Sequence, residues 1–432
     1  MKLSLLISAT FSLILGSANL GAAGANEPYV WLQYVDTDLL SVRAISTGSC
    51  EELKASIALS ERLDNTIEAN PKIAVCEALI DLRKSEINSV TVEGHLFNFA
   101  REAPSRVVVL GDTGCKMLGN PEDQKCEGAD WPFEALAKAA KKTAPDLIVH
   151  VGDQIYRYNC GRGEEGCGES HQLRDWSIWK DDFFDPVSEL LPVAPWIFLH
   201  GNHEDCRSRN RAWRGWMLFL SMVPAQATPD APVASTLKDC LDAKFDTAAS
   251  RMIRFSAGSA PALNIFAHDS AAGLDPSWKD FISIVGETEE TWIATHIPFV
   301  SFWRTRYVPA PEGLPNFRHG IPEAVSLILS GHVHLFQAVQ DKPKAAIQVI
   351  AGGSGTKLDE HAITDTIYGE GYSYVVLDRD HAKTVMTVCV LDKQGQASAW
   401  RSWNIVQASP ISGPVMSPLE EAVTSACTEP AL

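Results

Sequence analysis

Three pieces of one stretch decide how this chain folds: RVVVLGDTG (residues 106–114), PFEALAKAAKKT (132–143) and DLIVHVGDQIY (146–156). The first and third contain continuous apolar runs, Val107–Leu110 and Leu147–Val151, that stop abruptly at Gly-Asp. Runs of this length without polar alternation suit central strands buried on both faces. The middle piece has helical spacing. Phe133, Leu136, Ala137 and Ala140 fall on one face, and Pro132 suits a first helical turn. Strand, helix, strand predicts a parallel unit with a right-handed crossover. Its two Gly-Asp pairs then lie at the carboxyl edge of the sheet, where open α/β sheets place their sites.

Working outward, three more apolar runs end in the same way: Trp196–His200, Trp292–Ala294 and Leu327–Leu329. Five motifs follow the five runs: Gly111-Asp112-Thr113-Gly114, Gly152-Asp153-Gln154-Ile155-Tyr156, Gly201-Asn202-His203-Glu204, Ile293-Ala294-Thr295-His296 and Gly331-His332-Val333-His334. A strand that turns sharply at its end needs positive φ or an uncrowded backbone, and Gly tolerates both. Singly, the motifs say little. A lone Gly-Asp is usually a turn, and Ile-x-x-His is nearly uninformative. Gly-His-x-His is stronger, because alternate residues of an extended segment can reach one site. All five in order, each past a strand, define a metal site. Its candidate ligands are Asp112, Asp153, Tyr156, Asn202, His296, His332 and His334. Carboxylate and imidazole suit Fe, Mn and Zn, and a phenolate favours a trivalent ion, above all Fe(III). Seven donors are too many for one ion. They suit two ions that share a carboxylate, roughly 3.5–4 Å apart.

The order GDxG, GDxxY, GNHE, xxxH, GHxH resembles the purple acid phosphatases within the calcineurin-like metallophosphoesterase superfamily, as a motif scaffold over about residues 105–390. The resemblance implies an α/β fold, an αββα sandwich of two mixed sheets. It also implies Fe(III) on Asp112, Tyr156 and His334, and Zn, Mn or Fe(II) on Asn202, His296 and His332, with Asp153 bridging. Many calcineurin-like enzymes carry D-x-H in the first motif and lack a ligating Tyr. Here Gly114 stands at the His position and Tyr156 is present, which points to the purple acid branch. Ile293 stands where that branch often has Val, and Ile297–Trp303 lacks the expected substrate-loop histidines; His319-Gly320 further on can supply one.

The implied activity is hydrolysis of a small phosphomonoester by direct attack of a metal-bound hydroxide. His203 is the catalytic candidate, as proton donor to the leaving group and partner of the equatorial oxygens; its other role would be to orient Asp153 or Asn202. Glu204 orients. The same centre also fits a phosphodiesterase or nucleotide pyrophosphohydrolase. A non-catalytic exported module stabilised by metals is a third reading, and the intact His203 argues against it.

Residues 1–25, MKLSLLISATFSLILGSANLGAAGA, read as a secretory signal peptide: Lys2, an apolar core Leu3–Leu15, and small residues Ala23 and Ala25 before the cut. That core is too short to span a bilayer, and no membrane span is expected in the mature chain. The expected location is secreted or periplasmic. The absence of any N-x-[ST] acceptor favours the periplasm. Ten cysteines in an exported chain favour disulfides. Sequence leaves the connectivity open, and sequential pairing is the expectation: Cys50–Cys76, Cys115–Cys126, Cys160–Cys167, Cys206–Cys240 and Cys389–Cys427. A net charge of −17 disfavours nucleic acid as a partner.

Residues 26–103 read as a small β-rich accessory domain with strands Tyr29–Val35, Ser41–Ile45, Lys72–Cys76 and Val90–Phe97. Residues 104–405 form the catalytic domain, and residues 406–432 a surface tail. A second helix is expected over Trp176–Leu191, with Trp176, Trp179, Phe183 and Phe184 in the core rather than forming a substrate platform. Strands Ala346–Ile350, Ser373–Leu377 and Lys383–Val390 are expected to build a second sheet together. Arg207, Arg209, Arg211 and Arg214 are either phosphate contacts or surface residues of a helix.

Overall fold

The computed structural model describes residues 27–62, 72–85, 87–99, 101–117, 123–157, 176–205, 212–222, 250–271, 285, 289–303, 306–309, 321–322, 324–340, 345–359, 367–369, 371–381, 383–407 and 414–428. The leader, the pairs Cys160–Cys167 and Cys206–Cys240, Arg207, Arg209, Arg211 and His319 lie outside these residues, as does the side chain of Arg214.

Along the chain, β1 (Tyr29–Asp36), β2 (Leu39–Ser46), β3 (Ser60–Glu61) and β4 (Ala74–Asp81) come first. The single strand expected over Val90–Phe97 is instead a hairpin of β5 (Ser89–Val92) and β6 (His95–Asn98). Glu93 and Gly94 between them have φ of 49° and 81°, the left-handed pair that a two-residue hairpin turn requires. Then come β7 (Arg106–Leu110), α1 (Phe133–Lys142) and β8 (Leu147–His150). As expected, β7 and β8 pair in parallel. The second helical run is α2 (Trp176–Trp179), a π-helical turn over Lys180–Phe184 and α3 (Asp185–Val187). It leads to β9 (Trp196–Phe198), parallel to β8, and α4 is Trp213–Phe219.

The first sheet has the order of the remaining strands built around this unit. It includes β1, which pairs in parallel with β9 at Gln33 and Trp196, so the N-terminal β-rich region is hydrogen-bonded into the catalytic sheet. The second sheet begins with β10 (Arg251–Phe255), β11 (Leu263–His268) and β12 (Glu290–Thr295). A hairpin of β13 (Val300–Trp303) and β14 (Arg306–Pro309) follows. Next are β15 (Val325–Ser330), β16 (Phe336–Val339), β17 (Ile347–Ala351) and β18 (Ile367–Gly369). β11, β12, β15 and β17 are parallel neighbours.

One expectation is corrected here. β19 (Ser373–Arg379) and β20 (Thr384–Leu391) do not join β17 in the second sheet. The chain crosses back, and β19 pairs antiparallel with β7 in the first sheet. Alternation alone cannot tell which sheet receives a strand. β21 (Ala397–Gln407) and β22 (Pro414–Pro418) complete that sheet's edge, so part of the C-terminal segment is a strand.

The alternation of β7 shows how the layers stack. Val107 and Val109 face the core between the two sheets, with Trp292, Ala294, Leu327 and Leu329 opposite. Val108 and Leu110 face the helix side, against Phe133, Leu136 and Ala140 of α1. Both faces are fully buried, which is why the run is continuously apolar. Trp176, Trp179, Phe183 and Phe184 belong to the helix-side core. The disulfides Cys50–Cys76, Cys115–Cys126 and Cys389–Cys427 form as the sequential pairing expects.

A buried charge cluster fixes α4 to the N-terminal strands. Glu77 accepts from Arg43 and Arg62, at 3.0 and 2.7 Å. Arg43 also donates to the carbonyls of Phe219 (2.6 Å) and Ser221 (2.7 Å), and Arg62 to that of Met217 (3.0 Å). Met217 and Phe219 lie in the last turn of α4 and Ser221 just past it, at the helix end that favours cations. α4 in turn stands beside the third motif: the ring of Trp216 is 5.3 Å from that of His200.

Candidate metal centre

All five motifs emerge at one edge. Asp112 follows β7, Asp153 follows β8 and Asn202 follows β9, all three from the first sheet. His296 follows β12, and His332 and His334 follow β15, both from the second. Parallel strands put every carboxyl end on the same side, so residues more than 200 positions apart converge. The Tyr156 hydroxyl lies 2.6 Å from Asp153 Oδ2, 2.8 Å from His334 Nε2 and 3.0 Å from Asp112 Oδ1. On the other side of Asp153, its Oδ2 lies 3.1 Å from His296 Nε2. Asn202 Oδ1 sits 2.8 Å from His296 Nε2 and 2.7 Å from His332 Nδ1. The structure thus brings all seven predicted donors together, as two groups that meet at Asp153. Asp153, His296 and His332 offer donor atoms within 4.8 Å of one another.

The backbone is strained at this point. Asp112, Asp153 and His332 have φ of 56°, 57° and 70°. Non-glycine residues in the left-handed region cost about 1–3 kcal/mol each and cluster at functional sites. Of the two needs expected of the glycines, the first and fifth motifs show the uncrowded backbone: a Cβ at Gly111 would meet Val151 Cγ2 at 2.5 Å, and one at Gly331 would meet Asp112 Oδ2. The positive φ falls on the donor residue itself. Hydrogen bonds hold the donors in place: His332 N–H donates to Asp112 Oδ2 at 2.9 Å, and His203 N–H to Asp153 Oδ1 at 2.9 Å. Gly152 does have φ of 99°, and a Cβ there would meet His296 Nδ1 at 2.6 Å. At Gly114 a Cβ would lie 2.7 Å from both Gln154 O and Tyr156 N. The backbone that carries Tyr156 therefore fills the space that a first-motif His would need.

The imidazoles are oriented for binding. His296 Nδ1 faces the Val151 carbonyl at 2.8 Å, and His334 Nδ1 faces that of Lys357 at 3.1 Å. A ring that donates through Nδ1 presents a bare Nε2, the form a metal takes. Burial opposes charge on His296, yet Asp153 and Asp112 outweigh it and raise the ring to about 9. Burial lifts Asp112 well above the carboxylate range, with the charge of Asp153 adding to it. Asp153 goes the other way: burial opposes its charge, but His203 and His296 hold it well below that range. Burial and both carboxylates push the Tyr156 phenol far up. Burial pulls His203 down to about 4. Its ring lies against that of Tyr156, centroids 3.9 Å apart and planes tilted by 39°, with Nε2 3.8 Å from Asp153 Oδ2. Glu204 is fully buried and accepts from the N–H of Ile155 and of Gly201, at 2.9 and 3.2 Å, which suits orienting rather than reacting.

Sequence reading missed a supporting layer. His150 lies 3.0 Å from both Thr113 Oγ1 and Gln154 Nε2, between the first two motifs. Asp359 Oδ2 accepts from the N–H of His334 at 3.0 Å. Asp182 holds the backbone below Tyr156. None carries a local pattern; only His150, a polar residue inside a buried apolar run, gave a signal.

The sequence profile of the calcineurin-like phosphoesterases matches residues 105–336. The chain belongs to that family, and it is a metallophosphoesterase, a hydrolase of phosphate esters. No curated protein matches by sequence. Among solved structures, a purple acid phosphatase, PPD1, from yellow lupin (Lupinus luteus) seeds aligns with a TM-score of 0.56 at 15% identity, over 87% of this chain and 74% of that one. PhoD aligns with a TM-score of 0.54 at 12% identity, over 93% of this chain and 94% of that one. At these identities the likeness is one of fold.

Proposed function

We propose that this chain is an exported phosphomonoesterase with a two-metal centre of the purple acid type. Asp112, Tyr156 and His334 would hold Fe(III), Asn202, His296 and His332 would hold Zn, Mn or Fe(II), and Asp153 would bridge. The observation that carries the reading is the shared position of Asp153 Oδ2, 2.6 Å from the Tyr156 hydroxyl and 3.1 Å from His296 Nε2. The donor set fits the ions: it is made of oxygen and nitrogen, His296 and His334 are oriented by carbonyls, and a phenol pushed far up by burial and two carboxylates needs a highly charged partner to ionise. Bound there, the metals would supply Lewis-acid charge for the phosphoryl oxygens and lower the pKa of an attacking water.

The chain's own residues do the rest. Asp153 is held in place by the His203 N–H. The His203 side chain is 22% exposed, so it can reach a substrate. A phosphate dianion beside it would raise its pKa, so that the ring takes a proton from solvent and gives it to the leaving alcohol. Export is supported by the leader's composition and by the three disulfides, which persist in oxidising compartments.

The test is metal analysis and a visible spectrum of natively purified protein, with chromogenic monoester and diester assayed side by side. Two metals per chain and faster monoester turnover are expected. Faster diester turnover would replace the substrate reading with a phosphodiesterase. No turnover of either would leave a metal-stabilised module. A chiral phosphorothioate that keeps its configuration would sink direct attack.

A further inference from the structure

We propose that Asp182 is a positioning residue that sets Tyr156 at the metal centre by clamping the first motif to the second. The inference rests on the reading of Tyr156 as a metal ligand. Asp182 is fully buried on the π-helical turn Lys180–Phe184, beside Phe183 and Phe184, which are also fully buried. Such turns occur mostly at functional sites, and this one turns three consecutive side chains inward. A carboxylate in an aromatic core needs strong partners. Asp182 has three: Tyr156 of the second motif, and Cys115 and Arg157, which directly follow the first and second motifs. Its Oδ2 accepts from the N–H of Tyr156 at 3.2 Å. Its Oδ1 accepts from the N–H of Cys115 at 3.4 Å and pairs with Arg157 Nε.

The same unit is tied from the side. The Arg157 guanidinium lies over the Trp131 ring at 5.5 Å, and Trp131 Nε1 donates to the Thr113 carbonyl at 2.8 Å. Above the carboxylate the two loops run in parallel: Thr113 N–H donates to Asp153 O at 3.0 Å and Met117 N–H to Tyr156 O at 3.2 Å. Between these two pairings the N–H groups of Cys115 and Tyr156 turn down to Asp182. Tyr156 is therefore fixed at both ends, by Asp182 at its backbone and by Asp153 at its hydroxyl.

The test compares wild type, Tyr156→Phe, Asp182→Asn and Arg157→Gln, each purified from medium containing iron and zinc. The readouts are metal content per chain, visible absorbance and the chelator concentration that strips each metal. In Asp182→Asn the amide faces N–H donors. The metal that depends on Tyr156 should be held roughly 10- to 100-fold more weakly, with the other metal retained as proof of folding. Arg157→Gln, which leaves the carboxylate and both amide bonds, covers the case in which Asp182→Asn does not fold, and a smaller loss of the same metal is expected. If Tyr156→Phe loses a metal but Asp182→Asn and Arg157→Gln behave as wild type, the positioning role is wrong. If Tyr156→Phe changes no metal, the ligand reading fails first and the inference falls with it.

Discussion

His296 turns its Nδ1 onto the backbone carbonyl of Val151, at 2.8 Å, and so presents Nε2 to Asp153 and Asn202. Val151 is the last residue of the apolar run before the second motif. The ring from the second sheet is thus set by the backbone of the first. This contact and its mates in the same cavity lead to three predictions, and the buried arginine cluster to a fourth.

Metal binding should release protons. Ligands bind deprotonated, whereas His296 is raised to about 9 and Asp112 and Tyr156 lie well above their usual ranges. At neutral pH a metal must displace the protons of His296 and Tyr156. Apparent Zn(II) affinity of the metal-stripped protein should therefore rise with pH towards about 9 and weaken as pH falls. Calorimetry in buffers of different ionisation enthalpy counts the protons. A pH-independent affinity across the neutral range would contradict the assignment.

Tyr156→Phe should remove the hydroxyl that meets Asp112, Asp153 and His334. The expected result is loss of one metal per chain and of any purple charge-transfer band, read by elemental analysis and visible absorbance. A native purple protein that kept its colour in this variant would exclude Tyr156 as a ligand.

His203→Gln should lower kcat by about 10²–10⁴ for alkyl phosphates, whose leaving groups need a proton. For a p-nitrophenyl ester, which leaves without one, the loss should be much smaller. Equal losses on both substrates would instead assign the His203 side chain to orienting Asp153, whose Oδ2 lies 3.8 Å from Nε2.

Arg43→Met should destabilise the fold far from the metals. It takes one of two arginines from the buried Glu77, which keeps Arg62 and the Ser41 hydroxyl, and strips the Phe219 and Ser221 carbonyls of a donor. Breaking a buried pair in this way costs about 3–5 kcal/mol. Urea unfolding would show it as a lower midpoint with an unchanged slope. An unchanged midpoint would mean that the cluster contributes nothing to stability.

Much of this was legible in the chain because the signals are local. Val107–Leu110 and Leu147–Val151 read as strands buried on both faces, and the spacing of Phe133, Leu136, Ala137 and Ala140 as a helix face. Each donor follows such a run within a few positions, so the strands announce the donors. His296 was the weakest on this ground, since Ile-x-x-His has no pattern of its own. It lies at the centre of the site because β12 happens to be parallel to β15.

Sequence by itself determined the residue types at the strand ends and the parallel unit that carries the first two motifs. Each depends on neighbours in the chain or on the turn that follows a strand. Tertiary structure alone decided which sheet receives β19 and β20, that Glu77 is shared by two arginines, and that Asp182 closes the floor beneath Tyr156. It also decided that Asp112, Asp153 and His332, more than the glycines before them, carry the left-handed strain. These features arise from packing between segments far apart in sequence, and a buried polar group reveals its partner only when the chain has closed around it.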